Sequence, residues 1–248
     1  MVGSFLNVCI YRMPKEESIV KPGSHCPNCS AVIYWFDNIP ILSYIILMGR
    51  CRFCKKPISP GYPIVELLTA ITFLVFYNYF GLTFKLFVYL LFVSGLIVAT
   101  FVDIAHRIIP DEISIGGIIV GFILSIMFPH IQNTTSHFWG GVESLLGILI
   151  GGVSIYLTGI IGDWIFKKES MGGGDVKLLA MIGAFLGWRI ALLTFFLAPL
   201  FGAVVGIIVK IKTKQSLIPY GPFLSLAAVI SLFYYQEVIN WIFGYYRY

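Results

Sequence analysis

The sequence predicts an all-α polytopic membrane protein, and three observations carry this prediction. First, 58% of the 248 residues are hydrophobic and only 12% are charged, whereas a soluble domain carries about 25% charged residues. Second, the mean hydropathy is +0.89. Third, the apolar runs are continuous, unlike the alternating segments of about ten residues that build a β-barrel. A soluble or disordered chain is therefore excluded, and the net charge of +5, spread over loops, argues against nucleic-acid binding.

Eight apolar runs are predicted to be transmembrane helices, each of which needs about 20 residues to cross a bilayer. The first run has only about 10 residues, so it predicts a truncated helix. We expect either that the native chain begins upstream of Met1 or that the start codon is misassigned. The sixth run is also short, so either the bilayer thins there or the glycines before it lie below the headgroups. The runs are Met1–Tyr11, Pro63–Phe80, Phe84–Val102, Ile113–Phe128, Phe138–Ile161, Val176–Trp188, Ile190–Val209 and Leu217–Tyr235.

The basic residues of the loops predict the orientation of these helices. If the eight runs alternate in direction, four segments lie on one side of the membrane, and they hold 14 of the 17 Lys and Arg residues. Because positive charge accumulates in cytoplasmic loops, these segments are predicted to face the cytoplasm. The segments are Arg12–Tyr62, Asp103–Asp111, Gly162–Lys177 and Lys210–Ser216.

The first cytoplasmic segment contains two CxxC pairs separated by 21 residues, Cys26 with Cys29 and Cys51 with Cys54. Two such pairs at this separation predict a structural zinc site with four thiolate ligands, because complete tetrahedral coordination leaves no position for a substrate. The alternative is two redox or disulfide pairs, which the reducing cytoplasm disfavours.

The predicted organisation has three parts: a partial first transmembrane helix at 1–11, a small cytoplasmic zinc-binding loop domain at 12–62, and a transmembrane domain at 63–248 that carries the acidic residues described next. Between the cysteine pairs, the segment Trp35–Tyr44 has several apolar side chains. These side chains either lie on the membrane surface or form a small core around the metal, and the sequence favours neither arrangement.

Two aspartates are predicted to meet at the cytoplasmic ends of their helices. Asp103 ends the third run, and Asp175 opens the sixth. Acidic residues at such positions are costly and are functional candidates. Two carboxylates a few ångströms apart do not both ionise, so one can take a proton from water while the other donates a proton to a carbonyl oxygen. The pair acts as a unit, and neither role is assigned to one residue. This chemistry predicts hydrolysis by an activated water.

Two further elements are candidates for binding a substrate. The glycines Gly172, Gly173 and Gly174 precede Asp175, and without side chains they allow an extended peptide to approach the main chain. The alternative is a flexible loop in which Asp175 is an N-cap. Glu66 lies one turn into the second run, where it contacts either a cationic group of a substrate or a hydrogen-bonded packing partner.

A third aspartate, Asp111, competes with Asp103 for a catalytic role. It follows Pro110 and precedes Glu112 and an apolar run, which favours its interpretation as the N-cap of the fourth transmembrane helix.

Taken together and in order, these motifs resemble the type IV prepilin peptidase family, whose members are membrane aspartic proteases of the GxGD class. The resemblance covers nearly the whole chain. The motifs that carry it are Gly3–Val8 with Tyr11–Pro14, the two CxxC pairs, Asn38–Tyr44, Tyr62–Glu66, Asp103 with Ile108–Asp111, Gly172–Lys177 and Pro219–Pro222.

The resemblance implies an endopeptidase of the bacterial inner membrane. Such an enzyme removes the short basic leader of prepilins or pseudopilins at the cytoplasmic face, and its catalytic aspartates match Asp103 and Asp175. Members with the cysteine loop often also methylate the new N-terminus, with S-adenosylmethionine as methyl donor. Many of those members have a second acidic residue two positions after the first aspartate. Here that position is Ala105, which argues against an essential third carboxylate.

Two functions of other classes compete with the peptidase. One is a multi-pass transporter with a zinc-bound regulatory loop, since membrane aspartates also occur in proton relays. A transporter predicts inverted repeats, and the two halves of the sequence show no convincing similarity. The other is a scaffold of pilus assembly without catalysis, against which the two intact aspartates argue. The predicted partners are prepilin substrates and the lipid bilayer.

Overall fold

The computed structural model describes residues 1–167, 171–213 and 218–243. Within these ranges the chain is helical and forms no strand, although two isolated bridges pair His25 with Val32 and Arg50 with Pro57. The all-α prediction is therefore confirmed for the described residues. The helices are α1 (Val2–Arg12), α2 (Leu42–Ile46), α3 (Gly61–Phe80), α4 (Phe84–His106), α5 (Asp111–Met127), α6 (His137–Phe166), α7 (Gly173–Leu186), α8 (Trp188–Thr213) and α9 (Gly221–Phe243).

Four helices of the described part of the chain are long and apolar enough to cross a membrane, namely α3, α4, α6 and α8. Their length and composition support the predicted multi-pass membrane protein. The count of eight transmembrane helices stays a prediction, and Leu217, the predicted start of the eighth, lies outside the described residues.

The chain divides into two compact units, Met1–Val102 and Asp103–Tyr248. In the first unit α1 packs against α3. This contact depends on Gly3, since a Cβ atom there would come within 2.9 Å of the Cα atom of Glu66. The domain boundaries predicted near residues 12 and 63 stay predictions.

Helix α7 lies at the centre of the second unit, where it packs against α5, α6, α8 and α9. All nine residues of Leu178–Leu186 are buried. The closest approach is between Gly147 of α6 and Gly183 of α7, because a Cβ atom on either glycine would collide with the carbonyl group of the other. Small residues at helix crossings allow such contact in membrane proteins.

The C-terminal end of α7 is capped by side chains from the surrounding elements. Three buried groups donate hydrogen bonds to the carbonyl oxygen of Ala184: Ser125 Oγ at 3.1 Å, Gln132 Nε2 at 3.1 Å and Ser144 Oγ at 2.8 Å. The last carbonyls of a helix have no partner within the helix. A helix of 14 residues, about 21 Å long, can therefore end inside the protein without exposing carbonyl groups to lipid.

Candidate functional site

Asp103 lies in the last turn of α4 and is 6% exposed. Its Oδ2 atom accepts a hydrogen bond from the backbone N–H of Gly221 at 2.8 Å. Gly221 is the first residue of α9, and the N-terminus of a helix stabilises a nearby negative charge. The charge of Arg107 also acts on this carboxylate. The hydrogen bond holds the Asp103 carboxylate beside the N-terminus of α9.

Asp175 lies in the first turn of α7, and its backbone N–H donates to the carbonyl oxygen of Gly172 at 3.1 Å. Gly172 is the N-cap, so the alternative interpretation of Asp175 as the N-cap is wrong. The Asp175 carboxylate instead accepts a hydrogen bond from the backbone N–H of Gly172. The carboxylate of Asp175 is close enough to that of Asp103 for the two charges to repel. The structure thus brings together two acids from distant parts of the chain. Their catalytic role stays a prediction.

Two further residues lie beside the aspartates, Tyr220 and Gly221, and the sequence pattern assigns neither of them a role. The Tyr220 side chain interacts electrostatically with Asp175, and a Cβ atom on Gly221 would lie 2.8 Å from Oδ2 of Asp103. The only sequence signal for them was the Pro219–Pro222 motif before an apolar run.

The three glycines before Asp175 lie at the N-terminus of α7. Gly172 and Gly173 are exposed, whereas a Cβ atom on Gly174 would approach Ile109 to 3.1 Å. None of the three has a positive φ angle, so none needs glycine for its backbone conformation, and only at Gly174 does a neighbouring residue approach closely. The first N–H groups of a helix lack partners within it, which leaves exposed donors here. Binding of a peptide to them stays a prediction.

Asp111 does not cap α5, and that interpretation is wrong. The N-cap is Pro110, without a side-chain cap. The carboxylate of Asp111 instead forms an ion pair with Nζ of Lys177 at 2.7 Å, and both side chains are exposed. Two helices, α5 and α7, are joined by this pair.

The four predicted zinc ligands Cys26, Cys29, Cys51 and Cys54 form one cluster. Their Sγ atoms all lie within 4.8 Å of one another, and those of Cys26 and Cys54 are 3.9 Å apart. Tetrahedral coordination with Zn–S bonds of about 2.3 Å requires sulfur atoms about 3.8 Å apart. The cluster therefore has the ligand type, number and spacing of a structural metal site, and the identity of the metal stays a proposal.

The backbone positions the two cysteine pairs in equivalent turns. The N–H of Cys26 donates to the carbonyl oxygen of Ala31, and the N–H of Cys51 donates to that of Lys56, each at 2.9 Å. In both turns this hydrogen bond joins the first cysteine to the residue five positions later, which lies beyond the second cysteine of the same pair. This local folding directs two sulfur atoms from each turn to one point.

The thiols differ in acidity. Hydrogen bonds from the backbone N–H groups of Cys54 and Phe53 lower the pKa of the Cys51 thiol to about 7. The backbone N–H of Ala31 also acts to lower the pKa of Cys29, but desolvation and the neighbouring thiols outweigh it and raise that pKa to about 11. Four thiolates this close repel one another unless a cation lies between them, which a divalent metal provides.

The segment between the cysteine pairs exposes its largest apolar side chains. Trp35 is 80% exposed and Met48 is 84% exposed, so neither belongs to a core around the metal. Asp37 is held by Arg52 through two hydrogen bonds of 2.7 and 2.6 Å. This hydrogen-bonded ion pair lowers the pKa of the Asp37 carboxyl group.

Glu66 accepts two hydrogen bonds that tie three parts of the first unit together. Ser4 Oγ of α1 donates to Oε1 at 2.6 Å, and the backbone N–H of Ile41 donates to Oε2 at 2.8 Å. The packing role is therefore present in the structure. A contact with a cationic group of a ligand stays a prediction.

Comparison with protein families gives two matches. Residues 1–80 match the bacterial peptidase A24 N-terminal domain, and residues 90–207 match the type IV leader peptidase family. The two matches divide the chain between the cysteine-containing part and the part with the two aspartates.

Curated proteins with similar sequences include three named prepilin leader peptidase/N-methyltransferase. The protein of Myxococcus xanthus is 41% identical over 215 residues, which cover 87% of this chain and 62% of that protein. The protein of Legionella pneumophila is 33% identical, covering 98% of this chain and 91% of its own length. That of Pseudomonas aeruginosa is 35% identical, covering 96% and 88%. No solved structure shows significant similarity to the chain.

Proposed function

This chain belongs to the type IV leader peptidase family, and on that premise we propose that it is a bifunctional membrane aspartic endopeptidase. It removes the basic leader from prepilins or pseudopilins and then methylates the new N-terminal residue with S-adenosylmethionine. The similar proteins are named for both activities. Nothing in the comparisons favours a transporter.

The observation that carries the peptidase proposal is the convergence of Asp103 and Asp175 in one unit of the fold. Mutual repulsion favours a state in which the two carboxylates share one proton. The ionised carboxylate takes a proton from water, whose oxygen attacks the scissile carbonyl carbon, while the protonated carboxyl group donates to the carbonyl oxygen. As the C–N bond breaks, the leaving amine takes up a proton, and the pair returns to its starting state.

The surroundings of the aspartates support the binding of an extended substrate. The exposed Gly172 and Gly173 leave room for a peptide main chain beside Asp175, and the N–H groups of the first turn of α7 that have no partner within the helix are donors for its carbonyl groups. Gly221 holds Asp103 through its N–H. In this proposal α7 presents the substrate and α9 orients one of the acids.

The cysteine cluster is proposed to hold one structural Zn²⁺ through Cys26, Cys29, Cys51 and Cys54. A closed four-sulfur shell contributes to folding and leaves no open position for catalysis. S-adenosylmethionine supplies an electrophilic methyl group on a positively charged sulfur.

We place the protein in the bacterial inner membrane, with about eight transmembrane helices and with the aspartates and the cysteine cluster on the cytoplasmic side. The distribution of Lys and Arg over the loops supports this orientation. Four sufficiently long apolar helices support the membrane location.

The peptidase proposal is tested with the full chain purified in detergent and a prepilin that carries its leader. Asp103→Asn and Asp175→Asn should each reduce cleavage by at least about 10³-fold, as is typical for groups that act as a unit. Glu112→Gln, at an exposed acid of α5, is the matched control and should retain cleavage. Full cleavage by either aspartate variant would refute the assignment.

A further inference from the structure

The first unit contains a cavity whose lining includes none of the residues proposed above for peptide cleavage. It has a volume of about 440 Å³ and lies between α1, the N-terminal turn of α3 and the cysteine loop. Sites for small molecules typically measure about 300–1,000 Å³. The cavity therefore has the size of a small-molecule site and lies within the N-terminal family domain.

One wall of the cavity carries a buried cation that forms no ion pair within the part of the chain that the structure describes. Arg12, at the end of α1, lines the cavity and is 5% exposed. Its guanidinium group donates hydrogen bonds to the carbonyl oxygens of Ser18 at 2.9 Å and Gly23 at 3.2 Å. Among the described residues, no carboxylate forms an ion pair with it. Because a buried charge is costly unless it is paired, the site favours a ligand with a negative group.

Another wall carries a carboxylate for which the described residues supply no cationic partner. Glu66 lines the same cavity, and its oxygens accept hydrogen bonds from a hydroxyl and a backbone N–H. Within the described ranges it forms no ion pair. A carboxylate offers about four lone-pair positions, so capacity remains for a cationic group. Arg12 and Glu66 thus give the cavity one charge of each sign that forms no ion pair among the described residues.

Aromatic side chains complete the lining. Tyr44 and Tyr62 border the cavity. Tyr11 also lines it, but Nζ of Lys15 already lies 3.5 Å from the centroid of its ring. Tyr44 is fixed by a hydrogen bond from its hydroxyl to the carbonyl oxygen of Ile58 at 3.4 Å, and a Cβ atom on Gly49 would lie 3.0 Å from its ring. Aromatic faces stack on planar rings and attract cations such as a sulfonium group.

We propose that this cavity binds S-adenosylmethionine, with Arg12 paired to its α-carboxylate and Glu66 beside its cationic groups. The inference rests on the methyltransferase half of the proposed function and adds the site where the donor binds. The cation of the cavity matches the carboxylate of the amino-acid moiety, and its carboxylate matches the ammonium and sulfonium groups. The aromatic rings match the planar base. The basic leader is a poorer occupant, because Arg12 would repel its positive charges.

The role of Arg12 is tested by equilibrium binding of two radiolabelled ligands to the full chain in detergent. The ligands are S-adenosylmethionine and its decarboxylated form, which lacks only the α-carboxylate. The wild-type protein should bind the complete donor at least about tenfold more tightly, as expected for a buried charge pair. Arg12→Gln should lose this preference. Arg50→Gln, a loop arginine outside the cavity lining, is the matched control and should keep it.

The role of Glu66 is tested by comparing S-adenosylmethionine with S-adenosylhomocysteine, whose sulfur is uncharged. Wild-type protein should prefer the sulfonium, and Glu66→Gln should bind the two ligands with affinities that differ by less than about threefold. Tryptophan fluorescence during thermal unfolding shows whether each variant is folded. If Arg12→Gln does not fold, the wild-type protein alone still tests the proposal. Equal affinities for S-adenosylmethionine and its decarboxylated form would overturn it.

Leader cleavage by the same preparations separates this inference from the proposed function. If the leader is cleaved but no donor binding is measurable, the donor site is refuted while the peptidase stands. If donor binding is unchanged in both cavity variants while the KM for the prepilin rises, the cavity serves the substrate and the proposal is overturned. Donor binding without cleavage would support the cavity and refute the peptidase.

Discussion

The backbone N–H of Gly221 donates a hydrogen bond to Oδ2 of Asp103 at 2.8 Å, although 118 positions separate the two residues along the chain. A Cβ atom on Gly221 would lie at 2.8 Å from the same oxygen. Glycine is thus required here because another group approaches the backbone closely. The start of α9 both binds the carboxylate and limits where it can lie.

We expect Gly221→Ala to displace the carboxylate of Asp103 and to reduce leader cleavage by about 10²-fold, since small misplacements of reacting groups have effects of this size. Cleavage rates at saturating prepilin measure the loss. Gly116→Ala in α5 is the control, because a Cβ atom there meets nothing within 4 Å. Equal activity of the two alanine variants would show that Gly221 does not position Asp103.

Motif spacing and the expected membrane topology predicted which residues of the site come together. The spacing of Cys26, Cys29, Cys51 and Cys54 predicted a single cluster, and their sulfur atoms are found together. Asp103 and Asp175 were predicted to meet because both lie at helix ends on the same side, and their charges interact in the structure. The spacing of the cysteines and the position of each aspartate at the end of an apolar run can both be read from short stretches of sequence.

Contacts between distant helices could not be predicted where neither a motif nor the expected membrane topology brings the two residues together. The ion pair of Asp111 with Lys177 joins α5 to α7, while the local context of Asp111 indicated a cap. That Arg12 forms no ion pair among the described residues is likewise a property of the folded unit. Such relationships depend on which helices become neighbours, and the pattern of apolar residues does not specify that.

The contact between Gly147 and Gly183 predicts that alanine at Gly147 destabilises the protein much more than alanine at Gly152, another glycine of α6. Gly147→Ala should destabilise the protein by about 1–3 kcal/mol, because the added methyl group collides with the backbone of α7. Gly152→Ala is the matched control in α6, since its Cβ atom would lie 3.6 Å from that of Ala180 in ordinary contact. Thermal unfolding in detergent measures both. Equal midpoints would contradict the close packing of α6 on α7.

The ion pair of Asp37 with Arg52 predicts a pH dependence of the cysteine loop. Because Arg52 lowers the pKa of Asp37 in the folded state, the pair stabilises the loop above the pKa of an unfolded aspartate and loses this effect as the pH falls through the lowered value. Arg52→Gln should therefore lower the unfolding midpoint at neutral pH, and its difference from wild type should vanish in acid. Arg50→Gln is the control. A difference that stays as large in strong acid as at neutral pH would exclude the ion pair as its cause.

Removal of the metal is expected to weaken binding of the methyl donor. Cys26 and Cys51 border the cavity proposed for it, so the metal that joins the cysteine pairs also fixes one wall. Metal analysis should find about one zinc ion per chain, and chelation should reduce the affinity for S-adenosylmethionine by at least about tenfold, since loss of a structural metal unfolds its loop. Added zinc should restore the affinity. Cys26→Ser should reproduce the loss, whereas Cys9→Ala, at a buried cysteine outside the cluster, should not. If fully metal-free protein bound S-adenosylmethionine with undiminished affinity, the metal would not be needed to form the donor site, and this prediction would be wrong.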